Sequence, residues 1–201
     1  MKNLEKYYII KKNFLEMLFR RNFSINYKEY IMNYQYFKKI CKIKKNYYKT
    51  LGVFTGNGSI DHKLVGFFKN RGMLNAIYLR IKIEILKLKN AKVGIFVIKK
   101  ISSSALKIIK LFKEYFVIEL FYEYEFILNA IKHYLVPGHE LLFFLEKKKL
   151  LDCYKIKESQ LPKILINDPI ARYYGAKKGD VFKITRYSET VGIYVTYRIC
   201  K

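Results

Sequence analysis

Cysteine is scarce and scattered in this chain. Cys41, Cys153 and Cys200 are odd in number, far apart and free of CxxC spacing. That pattern argues against a disulfide framework or a thiolate zinc site and makes a reduced intracellular compartment the default expectation. The histidines, His62, His133 and His139, show no ligand spacing. Neither a metal nor a cofactor is therefore expected. No apolar run approaches the roughly eighteen residues of a bilayer span. Met1-Lys2-Asn3-Leu4-Glu5-Lys6 lacks the apolar core and cleavage site of a secretory signal. Neither a membrane partner nor export is expected.

Acidic residues are few, 16 against 40 Lys and Arg, and the formal net charge is +24. Such a field attracts polyanions, nucleic acid above all. Arginine is scarce too: Arg20, Arg21, Arg71, Arg80, Arg172, Arg186 and Arg198 are the whole set, so the excess is lysine. The chain is also rich in Ile, Asn, Tyr and Phe, residues that an AT-rich genome favours. The charge thus has two readings, proximity to nucleic acid and coding bias. What is plentiful is apolar mass: 51% hydrophobic and 17% aromatic residues suffice for packed cores and argue against disorder. A length of 201 residues allows one large domain or two small ones.

Catalytic patterns are missing as well. Gly56-Asn57-Gly58 lacks the Gly-Lys-Ser/Thr or third glycine of a phosphate-binding loop. Asp61-His62-Lys63 resembles one fragment of a nuclease metal site, but no second acid lies within ten residues. A surface loop is the better reading of it. Glu119, Glu123 and Glu125 share odd numbering and could line one sheet face, without an obvious His or Lys partner. No Ser or Cys nucleophile with a convergent base can be assembled. An enzyme is not expected, nor a small-molecule substrate.

Along the chain, Leu4, Tyr7, Tyr8, Phe14, Leu15, Leu18 and Phe19 form a helical stripe ended by Asn22-Phe23-Ser24. Asn26 with Glu29 starts a capping pattern. Tyr30, Tyr34, Phe37 and Cys41 follow at helical spacing, read as core rather than as a base-stacking surface. Val53-Phe54 and Leu64–Phe68 read as strands, and Asn70-Arg71-Gly72 as a turn. A helix is expected over 75–89, with Ile77, Ile81, Ile85 and Leu88 inward. Val93–Ile98 is uniformly apolar, as a buried central strand is. Lys99 and Lys100 lead into Ser102-Ser103-Ser104 and a helix through Leu106, Ile109 and Phe112. A strand, a serine turn and a helix N-terminus beside lysines would favour a phosphate; an ordinary capped helix is the plain alternative. Two strands are expected over 115–121 and 124–128, joined at Tyr122-Glu123.

Leu135-Val136-Pro137-Gly138 marks a change of register, and the chain is divided into 1–132 and 133–201. Helices and strands alternate in the first part. In the second, Glu146–Tyr154 reads as a helix with Leu150, Leu151 and Tyr154 inward. Asp168 can N-cap a short helix with Pro169 at its first position and Gly175 at its left-handed end. Lys178-Gly179-Asp180 is a turn, followed by antiparallel strands 181–186 and 193–200 around Ser188-Glu189-Thr190. The expected class is α+β or α/β, a helix-plus-sheet domain followed by a small mixed domain. About 65 residues is near the lower limit for independent folding, so docking on a partner would help the second one.

That second part also carries a resemblance. His133-Tyr134-Leu135-Val136-Pro137-Gly138-His139, Gln160-Leu161-Pro162, Asp168-Pro169-Ile170-Ala171, Tyr173-Tyr174-Gly175, Lys178-Gly179-Asp180-Val181, Ser188-Glu189-Thr190 and Tyr197-Arg198 stand in family order. The stretch resembles the fifth subunit shared by eukaryotic nuclear RNA polymerases I, II and III. It is similar as well to the archaeal counterpart, which has the C-terminal domain alone. The first two-thirds resembles the family weakly, through element order and the Phe96-Val97-Ile98 to Ser104-Ala105 segment. The resemblance implies a non-catalytic, nuclear subunit whose C-terminal domain (133–201) anchors on the largest subunit among the core subunits. It implies an N-terminal domain (1–132) in the lower jaw beside downstream double-stranded DNA. Lys99, Lys100, Ser102, Ser103, Ser104 and Ala105 are then the DNA-proximal candidates; the family's usual Thr-Pro-Ser-Ala turn lacks its proline here. Assembly candidates are His133, Pro137, His139, Gln160, Pro162, Asp168, Pro169, Arg172, Gly175, Gly179, Arg186 and Arg198. Other departures are Tyr134 in place of an acid, Gly138 in place of a charged residue, and Leu145 near the usual Ser/Thr cap. A free-standing basic nucleic-acid-binding protein and a divergent nuclease are the alternatives.

Overall fold

Val93–Ile98 is β3, and from Gly94 onward every residue in it is buried. A strand apolar on both faces needs cover on both, and it sits inside a four-stranded sheet of order β1-β2-β3-β4. A computed structural model describes residues 2–44, 53–55, 63–69, 72–190 and 192–201. The short edge strand β1, Val53–Thr55, runs antiparallel to β2, Leu64–Phe68. β2, β3 and β4, Val117–Tyr122, are parallel, with Phe67 opposite Phe96 and Phe96 opposite Leu120. Gly56-Asn57-Gly58, Asp61-His62 and Asn70-Arg71 lie outside the described residues.

Parallel strands require crossovers, and helices supply them. Helix α1 spans Lys2–Arg20, α2 Tyr27–Tyr30, α3 Tyr34–Lys44, α4 Ala76–Leu88 and α5 Ser103–Phe112. Neighbouring Phe67 and Phe68 show the layering, since successive strand side chains point to opposite faces. Phe67 stacks on Phe96 within the cluster of Leu79, Ile83 and Leu86 from α4 and Ala105 and Ile108 from α5. Phe68 instead meets Phe14 of α1 edge-on at 5.0 Å. Around Phe14 lie the buried Ile10, Leu15, Met17 and Leu18, with Phe37 and Cys41 of α3 buried as well. Phe19, expected on the inward stripe, is 62% exposed and leans on Tyr30.

Two further expectations are corrected in this unit. The inward face of α4 is Leu79, Ile83 and Leu86, while Ile77, Ile81 and Leu88 are exposed. The helix is apolar on more than one stripe, so periodicity could not choose its phase. Fully buried Leu74, bridged to Ile101 just before the helix, anchors the entry to it. Residues 124–128 are not a strand; Glu123–Leu128 is helix α6. Phe126 is buried against Phe14 and Phe121, and Glu125 accepts the Tyr122 N–H at 3.2 Å. Six residues are too short for pattern to overrule such tertiary contacts.

Chain contacts divide the molecule into Met1–Leu128 and Asn129–Lys201. The second unit holds β5, Gly138–Leu141; α7, Phe144–Tyr154; β6, Lys163–Ile164; α8, Pro169–Tyr174; β7, Val181–Ser188; and β8, Gly192–Cys200. Its sheet order is β5-β7-β8-β6, antiparallel except for β6 along β8. Two small clusters form its core: Ile164, Ala171, Phe182, Ile184 and Cys200, and Leu150, Leu161, Val181 and Ile199. Helix α7 begins two residues before its expected start, and Tyr154, expected inward, is 61% exposed against Tyr197. The mixture of helix and sheet in both units is the α+β class read from the sequence.

Candidate nucleic-acid interface and assembly face

The serine turn sits at the carboxyl end of β3. Ser102 is the N-cap of α5 in extended geometry, with φ −86° and ψ 153°. Its Oγ accepts the Ala105 N–H at 3.3 Å and donates to Leu74 O at 3.0 Å. Ser104 Oγ lies 3.0 Å from Ser102 Oγ. The Ser102 N–H also donates to Leu74 O, at 3.0 Å, and Leu74 N–H donates to Lys100 O at 2.8 Å. These bonds fasten the turn to the segment entering α4. Ala105 is buried, so of the DNA-proximal candidates it is a packing residue. Lys99, Lys100, Ser103 and Ser104 are exposed. The first turn of α5 holds no acid, so its positive end is left uncompensated. Ser103 stands at the first helical position, where a proline fits because that N–H is unpaired. A serine there keeps the N–H as an outward donor.

The three glutamates do not share a face. Glu119 receives a two-pronged bond from Arg21, at 3.1 and 2.8 Å. Glu123 pairs with Lys6 at 3.0 Å, and Glu125 caps α6. Glu119 ties the end of α1 to β4, Glu123 ties α1 to α6, and Glu125 bonds α6 to the last residue of β4. Lys11 and Glu29 make a further ion pair, with the Lys11 side chain buried. Among the described residues no group of three or more His, Cys, Asp or Glu is arranged to hold a metal ion, and no helix is long and apolar enough to cross a membrane.

In the second unit most assembly candidates build turns. Gln160 Oε1 accepts the Lys157 N–H at 2.7 Å, and the Pro162 carbonyl accepts the Ile199 N–H at 2.8 Å, aligning β6 on β8. Asp168 caps α8 through the Ile170 N–H at 2.9 Å, Pro169 takes the first helical position, and Gly175 ends the helix at φ 66°. Gly179, at φ 93°, donates its N–H to Cys200 O and accepts from Lys147 Nζ. His139 faces Phe182, its Nδ1 2.7 Å from Pro137 O. Burial first of all pushes its imidazole pKa below the ordinary 6.5, with Arg186 and Arg198 acting the same way and the Pro137 bond and Asp168 opposing. His133, by contrast, is exposed and stacks on Tyr134. Arg172 is half-buried on α8, while Arg186 and Arg198 are exposed on β7 and β8.

Sequence reasoning missed the apolar residues that this unit leaves in solvent. Phe143, Phe144 and Leu145 are exposed at the start of α7, Leu165 after β6, and Tyr187, Ile193 and Tyr194 on the hairpin. The run Leu141–Leu145 is apolar enough to read as interior, but only Leu141 and Leu142 pack against the core; helix α7 starts after Phe143, whose N–H donates to Glu146 at 2.8 Å.

In this unit, then, polar side chains close turns and several apolar side chains are left in solvent, which is the surface of a protein that can dock on another. The family described as RNA polymerase Rpb5, C-terminal domain, matches residues 128–200. The chain is 42% identical over 137 residues to the DNA-directed RNA polymerases I, II, and III subunit of Dictyostelium discoideum, covering 67% of this chain and 70% of that protein. It is 49% identical over 84 residues to the corresponding subunits of Caenorhabditis briggsae and Caenorhabditis elegans, covering 42% of this chain and 40% of each. The chain belongs to the Rpb5 family of shared RNA polymerase subunits, and its part there is structural rather than catalytic.

Proposed function

We propose that this chain is a common subunit of nuclear DNA-directed RNA polymerases that joins them through residues 133–201 and brings residues 1–132 to downstream duplex DNA as part of the lower jaw. The partner on the assembly side is the largest subunit, met by the exposed Phe143, Phe144, Leu145 and hairpin residues together with His133, Arg186 and Arg198. The turn-building candidates Gln160, Pro162, Asp168, Pro169, Gly175 and Gly179 hold that surface in shape. Lys99, Lys100, Ser103 and Ser104 face the duplex. The observation that carries the DNA side is the Ser102 cap: a helix N-terminus with no acid in its first turn, next to two exposed lysines. Such a group contacts phosphate without reading bases.

Affinity purification of the tagged chain from nuclei tests the assembly side. Recovery of the polymerase largest subunit is expected; recovery of nucleic acid without any polymerase subunit would favour a free-standing basic DNA-binding protein. For the DNA side, duplex affinity of the isolated chain should fall steeply with salt, with a log–log slope of about −0.9 for each phosphate neutralised. An affinity indifferent to salt rules the contact out.

A further inference from the structure

Beside the serine turn, the end of β2 and the first half of α4 hold cations that the turn does not account for. Lys69 follows β2 directly, and its backbone N–H donates to Val97 O at 3.0 Å. Its ammonium donates to Asn75 Oδ1 at 2.8 Å and stands 4.5 Å from the centre of the Tyr78 ring. Lys82 lies one helical turn beyond Tyr78. Its ammonium is 5.1 Å from that same ring and 5.4 Å from the ring of Phe67. One tyrosine therefore carries two cations. Asn75 is the N-cap residue of α4, yet its side chain makes no capping bond; its oxygen holds Lys69 instead.

Two like charges set against one aromatic ring repel each other. A ring quadrupole offsets less of that repulsion than a carboxylate would. Burial lowers both ammonium pKa values below the ordinary 10.5. Among the described residues no acid forms an ion pair with either ammonium, and the arrangement is open to an anion. Its position says where one would come from. Leu74 bonds to Lys100 and Ser102, so the entry to α4 is fastened to the serine turn at the carboxyl end of the parallel sheet, where ligands gather in such sheets.

We infer that Lys69 and Lys82, presented on Tyr78, form a second phosphate-binding position beside the serine turn. The inference rests on the reading of that turn as facing a duplex, and extends the track from one contact to two. The chemistry is phosphate oxygen on a paired ammonium; the oxygens belong to a duplex backbone or to a free polyphosphate, and the test separates these.

Fluorescence anisotropy of a labelled 20-base-pair duplex over a salt series, with the full chain, reads the contact directly. The double variant Lys69→Gln with Lys82→Gln should flatten the log–log salt slope by about 1.8, or 0.9 per lysine. The double variant Lys69→Arg with Lys82→Arg should keep the slope, because charge rather than fit is required. Tyr78→Leu should flatten it less than the double Gln variant. An unchanged slope in the double Gln variant, while Lys99→Gln with Lys100→Gln flattens it, overturns the second position and keeps the turn. If the wild-type chain ignores the duplex, the reading of the turn fails. Titration with inorganic triphosphate then decides: binding lost in the double Gln variant assigns the position to free polyphosphate, and no binding removes it.

Discussion

Ser102 does three jobs with one hydroxyl and one amide: it caps α5, holds Ser104, and ties the turn to Leu74. Ser102→Ala removes the cap and leaves Leu74 with fewer donors, so a loss of about 1 kcal/mol in urea unfolding is expected, within the range for cap removal. Ser103→Ala, which touches none of these bonds, should stay within about 0.5 kcal/mol of wild type. His139 gives a pH signature with a definite sign. Its pKa in the fold lies below 6.5, while the unfolded chain keeps the ordinary value. As pH falls below about 6.5 the unfolded state takes the proton first, and stability declines until the folded pKa is reached. Above that window both states are neutral and the contribution is constant. Urea midpoints at about pH 7.5 and 5 should therefore differ, and His139→Gln should narrow the gap. At this scale the sequence was readable wherever a side chain bonds its own neighbourhood. Asp168, Pro169 and Gly175 declared a helix start and stop because capping is local chemistry.

Elements were readable only where pattern left one choice. Continuous apolar Val93–Ile98 read as a buried central strand, and the alternation of 181–186 with 193–200 around a polar turn read as an antiparallel pair; in the structure these strands run over 181–188 and 192–200. Helix α4 offered two apolar stripes, and the partner decided between them, since Leu79, Ile83 and Leu86 meet Phe67 and Phe96 across the sheet face. Helix α6 was hidden because its cause lies in α1: Asn13 Nδ2 donates to Phe126 O at 2.6 Å, and Lys6 holds Glu123. The link from the end of α1 to β4 makes a prediction at the same scale. The Arg21 side chain is 5% exposed and binds Glu119 with both arms. Glu119→Gln should destabilise the first unit by about 1.5–3 kcal/mol, the range for hydrogen bonds to charged groups. Far-ultraviolet circular dichroism in urea measures it. No loss would mean that α1 is held by its apolar face alone.

For the whole molecule, the excess of lysine over arginine suits contact with phosphate better than reading of bases, since bidentate arginine is the usual base reader. Duplexes of different sequence but equal length should therefore bind within about threefold of one another. Wide discrimination between them would argue for a base-reading surface instead. Family membership was legible in the ordered turns of residues 133–201, because each turn there needs particular residues at particular spacing and so leaves a long imprint. The caps of α8 and the central strand were within reach of the sequence alone, being matters of local bonding or unbroken pattern, and the shared-subunit family was within reach through its resemblance. The phase of α4, the helical state of 123–128, the exposure of Phe143–Leu145 and the meeting of Lys69 and Lys82 on Tyr78 were decided only by tertiary structure. Each depends on which distant side chain fills the space opposite, and no spacing along the chain records that.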